Sequence, residues 1–240
     1  MFLGIGSGSN GITDALQSAF KFGHAGGTSI SGLEHKTQKN PNDAQAWRDL
    51  ATAYETKHRT SDAILALTQY TTLRPHDVGA FAELATEYGQ QAQQYAQDYQ
   101  TTQQQATLLT PASAAFAPPS TTPLGKAFND PKALQNPIST QLQQQAQSAA
   151  QAALTNYQSA LQNAEQAYKT VAKLTPKDAN AQLQLAQAAQ GAADSKTALA
   201  AYQRFLVLAP ADPLAPTVKK QIRQLEKQLA PTTTSKSASK

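Results

Sequence analysis

The feature that most constrains this chain is an interval that occurs twice. In "AWRDLATAYETKHRTSDAILALTQYTTLRP", Trp47, Leu50, Ala51 and Tyr54 fall on one helical stripe, Ala63, Leu67 and Tyr70 on a second, and Pro75 ends the pattern. In "AQLQLAQAAQGAADSKTALAAYQRFLVLAP" the same places hold Gln182, Leu185, Ala186 and Ala189, then Ala198, Tyr202 and Phe205, then Pro210. Both intervals, 47 to 75 and 182 to 210, span 28 residues. Apolar residues at three-four spacing make an amphipathic helix. A connection this short makes two such helices antiparallel. The expected fold is therefore all-α, built from stacked helix pairs.

The lettering resembles the tetratricopeptide repeat: an aromatic, then Leu with a small residue, then Tyr, followed by Ala, a bulky apolar residue and a closing Pro. Trp47, Leu50, Ala51, Tyr54, Ala63, Leu67 and Pro75 fill that pattern, with Ala51 in place of the usual glycine. The last copy departs further, with Gln182 where the aromatic belongs and Ala189 where the tyrosine belongs. A middle copy is split. Its first half reads Phe81, Leu84, Ala85 and Tyr88, and its second half returns only at Ala164, Tyr168, Val171 and Pro176. The interval from 81 to 176 is 95 residues, so 67 are inserted within one repeat.

The insertion, about residues 89–160, keeps its periodicity. Phe81, Ala85, Tyr88, Ala92, Tyr95 and Tyr99 follow one stripe going out, with Ala106 continuing it. Ala146, Ala150, Ala153, Tyr157, Leu161, Ala164 and Tyr168 follow one coming back. Tyrosines facing alanines would interdigitate. The proline-rich tip, "TPASAAFAPPSTTPLGKAFNDPKALQNP", cannot be a continuous helix. Both middle helices are thus expected to be overlong and to form a projecting antiparallel hairpin. After Pro210, Leu214, Val218, Ile222, Leu225 and Leu229 share one face of a helix whose other face is charged, as a capping helix requires. The solenoid is expected over 40–229. It is flanked by a flexible glycine-rich segment over 1–39, interrupted by a short helix from Thr13 to Gly23, and by a disordered basic tail over 230–240.

The residues offer little chemistry. The chain has no cysteine, which removes disulfides and thiolate catalysis. His24, His35, His58 and His76 stand at no ligand spacing. "GIGSGSNG" lacks the Gly-Lys-Ser/Thr ending and the preceding strand of a phosphate loop. No cofactor, metal or small-molecule substrate is expected, and no enzyme. The net charge of +4 is concentrated from Pro213 onward, where six cations against Glu226 give +5 and leave about −1 for the rest. That run reads as a solvated helix face and a tail, and nucleic acid is not expected as a partner.

The resemblance implies a function: a scaffold that binds a partner protein or peptide along the concave side, lined by the first helix of each pair. Trp47 and Tyr54 belong to the core in this reading. Arg48, Thr52, Glu55, Ala82, Thr86, Leu183, Gln187 and Gln190 lie between the core stripes and would face the groove. Some relatives clamp a partner's C-terminal carboxylate there with lysine and asparagine. Arg48 is basic, but Thr52, Thr86 and Gln187 are not asparagines, so a polar, weakly charged groove is expected. The alternative is a structural protein whose Gln/Ala-rich hairpin mediates self-association. The resemblance is to the membrane-tethered bacterial type, in which a span precedes a Gly/Ser linker, and "FLGIGSGSNG" reads as the last turn of such a span followed by the linker. On that reading a tether precedes Met1 and the repeats lie outside the cytoplasm. A cytoplasmic protein is the other expectation.

Overall fold

A computed structural model describes residues 29–108, 121–123, 126 and 137–230. Among these residues the chain forms eight helices: α1 (Ile30–Lys39), α2 (Ala44–Thr56), α3 (Thr60–Leu73), α4 (Val78–Leu108), α5 (Pro137–Leu174), α6 (Ala179–Gly191), α7 (Ser195–Leu208) and α8 (Ala215–Leu229). The chain divides into two compact units, up to Leu84 and from Ala85 onward, so α4 contributes its first turns to one and its remainder to the other.

The pairs α2/α3 and α6/α7 have the same construction. Each is 13 residues, a three-residue turn, then 14 residues. Both turns place a non-glycine residue in the left-handed region at the same step, His58 at φ 55° and Ala193 at φ 61°. In the first, the amide of Arg59 reaches the Tyr54 carbonyl and that of His58 reaches Glu55. In the second, Asp194 reaches Ala189 and Ala193 reaches Gln190. This paired bonding closes a helix that ends on a left-handed residue, satisfying carbonyls that would otherwise lack donors.

A second motif punctuates the chain four times. Asn40-Pro41-Asn42-Asp43, Arg74-Pro75-His76-Asp77, Thr175-Pro176-Lys177-Asp178 and Ala209-Pro210-Ala211-Asp212 each follow a helix. In each, the aspartate amide donates to the carbonyl of the residue before proline, at 3.0–3.2 Å. The aspartate side chain then accepts an amide of the following segment: Ala46, Ala80, Asn180 and Leu214 in turn. Proline stops one helix, and in the first three turns the aspartate caps the next, whereas α8 begins after Leu214 without a side-chain cap.

In the first unit, α1 packs on α2 and α2 on α3. Helix α1 corrects the expected flexible lead-in through residue 39. The glycines thin out after Gly27, Ser29 caps the helix by accepting from the Gly32 amide, and Leu33 and Thr37 are buried. Because it ends in the same Pro-x-Asp turn, α1 holds the place of a second helix in the array. The core of this unit is Ala46, Leu50, Ala51 and Tyr54 with Ala63, Ile64, Ala66 and Leu67. Ala51, at the position usually glycine, is fully buried, as is Ala186 at the matching place in α6. Only a small side chain lets the two helices of a pair approach there. Trp47 departs from expectation. It is half-buried rather than core, with its indole N–H donating to the Pro41 carbonyl at 2.8 Å.

In the second unit, α5 packs on α6, α6 on α7 and α7 on α8. Ala172, Leu185, Ala186, Ala189, Ala198, Tyr202 and Phe205 form its core with Val218 and Leu225 of α8. Leu214 and Leu229, expected on the same face of α8, are 48% and 38% exposed. They stand at or just before the helix ends, and Ala215 is buried instead.

The middle pair is extended into a long antiparallel helical hairpin. Helix α4 has 31 residues against 13 for α2, and α5 has 38 against 14 for α3. At 1.5 Å per residue the overshoot is about 27 Å on α4 and about 36 Å on α5. Ala92, Ala150, Ala153 and Ala160 are buried, and Tyr88, Tyr95, Tyr99 and Tyr157 are half-buried along the same stripes. The expected short helix over 13–23, most of the proline-rich tip and the tail after residue 230 lie outside the described residues.

Candidate functional site

The first unit holds Arg48, Thr52 and Glu55 on α2 and Ala82 on α4. Thr52, Glu55 and Ala82 are half-buried. Arg48, expected to face the groove as a basic residue, is held in an ion pair. Its guanidinium pairs with the Glu83 carboxylate and lies 5.7 Å from the centre of the Tyr70 ring. The two charged side chains are only 24% and 9% exposed. Burial disfavours the charge on Arg48, but the Glu83 carboxylate outweighs it and holds the guanidinium above its ordinary pKa, with Glu55 adding to the effect. Tyr70 in turn donates to Asp77 at 2.6 Å, and burial, together with that bond, raises its hydroxyl. Arg48, Glu55 and Glu83 together carry one net negative charge. A partner's terminal carboxylate would find no free cation in this set.

A second cluster in this unit joins α1 to the pair. The Tyr54 hydroxyl donates to Glu34 at 2.6 Å, and the Arg59 guanidinium lies 4.5 Å over its ring. Burial, then the bond to Glu34, pushes the Tyr54 hydroxyl up to about 12.

The second unit holds Thr86, Leu183, Gln187 and Gln190. Leu183 is half-buried and packs against the core of its unit. Thr86 and Gln187 are exposed. Gln190 is exposed but anchored. It accepts from the Tyr202 hydroxyl at 2.9 Å and donates to Gln221 at 3.3 Å, tying α6 to α7 and α8. A polar network in this unit escapes sequence reasoning. Lys169 reaches the buried Glu165 at 2.7 Å and Asp194 at 3.5 Å, and Asp194 accepts from both the amide and the hydroxyl of Thr197. The hydrogen bond to Glu165 holds the Lys169 ammonium above its ordinary pKa. The Glu165–Lys169 step of four residues is legible in the sequence, but the link across to Asp194 needs the fold.

Among the described residues no cluster of histidine, aspartate and glutamate is arranged to hold a metal ion, and no helix is long and apolar enough to cross a membrane. What the two sets share is polar, partly exposed surface on first helices. No protein-family model and no curated protein matches the chain. Among solved structures, the crystal structure of the APC/C hetero-tetramer Cut9-Hcn1 is similar at 14% identity and a TM-score of 0.24, covering 80% of this chain. The chain spans 45% of that one, and at this TM-score the likeness carries no argument about function.

Proposed function

We propose that the protein is a non-catalytic scaffold that binds a partner protein or peptide through the first helices of its repeats. The observation that carries this is the matched construction of α2/α3 and α6/α7. Each buries its small-residue seam and carries polar, partly or fully exposed positions on its first helix: half-buried Thr52 and Glu55 in one unit, exposed Gln187 and Gln190 in the other. Such surfaces supply contact without chemistry. The test is affinity capture of a partner, followed by binding measurements on Thr52→Glu and Gln187→Lys chains. Weakened binding with unchanged circular dichroism is expected. Unaltered affinity in both variants would move the binding site off these helices.

A second reading, self-association through the hairpin, is favoured by the length of α4 and α5. Sedimentation of the full chain against one lacking the hairpin separates the two. A monomer in both cases removes the second reading. The finer assignment to a membrane-tethered bacterial type rests on the stretch around "FLGIGSGSNG" alone. It is tested by asking whether an apolar span of about 20 residues is encoded in frame before Met1.

A further inference from the structure

We propose that the outer face of α8 is a docking surface for an anionic phospholipid bilayer. Lys219, Lys220, Arg223 and Lys227 are all exposed, while Val218 and Leu225 on the opposite side are buried. At 3.6 residues per turn the four cations fall within an arc of about 100° and a length of about 12 Å. Among the described residues the ion pairs engage Lys36, Arg48, Arg59 and Lys169, and none engages a cation of α8. The glutamines of the same helix, Gln221, Gln224 and Gln228, lie outside the arc, and Glu226 sits at its edge.

The placement has a structural component, and the repeat register identifies it. Thirty-four residues after Leu185, Ala186 and Ala189, the core positions of α6, stand Lys219, Lys220 and Arg223. The cations occupy the side on which another repeat would otherwise stack, so polarity there ends the array. That explains polarity but not its sign. Elsewhere the chain covers its exposed helix faces largely with glutamine and threonine, and only 15% of its residues are charged. Four unpaired cations segregated from neighbouring glutamines exceed what a cap needs.

A bilayer fits the stripe better than nucleic acid does. Duplex binders typically neutralise about 6–10 phosphates, and α8 offers four cations. It also carries no aromatic side chain on which a base could stack. Anionic headgroups need neither, because each basic side chain near such a surface adds to binding independently.

The inference does not depend on the repeat groove and is tested separately. The full chain is co-sedimented with vesicles of equal parts phosphatidylcholine and phosphatidylglycerol, and with vesicles of phosphatidylcholine alone. Binding to the anionic vesicles only is expected, falling as salt rises from about 0.1 M to about 1 M. Replacing Lys219, Lys220, Arg223 and Lys227 by glutamine should weaken partition by several hundredfold, about fivefold per cation. A charge-matched control replaces the exposed Lys173, Lys177, Lys196 and Arg204 of the same unit and should keep most of the binding. Equal loss in the two variants would mean the attraction is general net charge, and the proposal fails. It fails equally if wild-type chain ignores the anionic vesicles, or if it shifts duplex DNA but does not bind them.

Discussion

Ala193, at φ 61°, sits where an L side chain crowds the following carbonyl, and Ala192 beside it, at φ −77°, does not. Glycine relieves the first strain and only adds unfolded-state freedom at the second. Ala193→Gly should therefore stabilise the protein by roughly 0.5–1 kcal/mol, while Ala192→Gly destabilises by a similar amount. Thermal melts of the pair read the sign directly. Asp194, the next residue, caps α7. Its bonds from the Thr197 hydroxyl and amide, opposed by partial burial, hold its carboxyl down at about 2. A depressed folded pKa contributes stability above the ordinary value of 3.8 that is lost as pH falls through about 2. The melting difference between wild type and Asp194→Asn should shrink across that window and vanish below it. A difference independent of pH would mean the charge plays no part in the cap. Burial also ranks two aromatics. Phe205→Ala, at a fully buried site, should cost about 3–5 kcal/mol. Half-buried Trp47→Ala should cost clearly less, and equal losses in denaturant titration would contradict the packing described.

At the scale of the element, helices are legible where apolar periodicity and a stop signal coincide. That is why α2, α3, α6 and α7 can be read from Trp47, Leu50, Tyr54 and their counterparts. Helix α1 cannot, because its seam reduces to Leu33 and Thr37 and the glycines before it dominate the local composition. The clue that points to it is the Pro-x-Asp ending at Asp43, which recurs at Asp77 34 residues later. Trp47 reads as core because an indole contributes most when fully covered, yet its N–H needs an acceptor and finds the Pro41 carbonyl at the edge. The long helices carry one avoidable weakness. A Cβ added at Gly89 in α4 meets nothing within 4 Å. Gly89→Ala should raise stability by about 0.5–1 kcal/mol through helix propensity alone, and a lower melting temperature would show that the position is packed more tightly than described.

For the whole molecule, the all-α repeat architecture and the split middle repeat are readable because each copy writes the same spacing. The candidate faces are less so. Arg48 is legible as a basic position, but its neutralisation by Glu83 depends on two helices meeting, which no local spacing records. Leu183 reads as a groove residue because it falls between core positions of its own helix, while the fold packs it against the core of its unit. The central claim is that the middle repeat is an ordinary helix pair interrupted by a helical insertion. The direct measurement replaces residues 91–160 with a three-residue Ala-Gly-Asp turn, patterned on the turn at 192–194, and follows thermal unfolding by circular dichroism. The shortened α4 and α5 then match their counterparts at 13 and 14 residues, and Phe81, Leu84, Ala85, Ala164 and Val171 are all retained. Because stability in such arrays is close to a sum of repeat and nearest-neighbour terms, the chain should unfold cooperatively, with its helical signal reduced in proportion to the residues removed. A chain that has lost cooperative unfolding or aggregates would show that the hairpin is integral to the fold rather than inserted into a repeat.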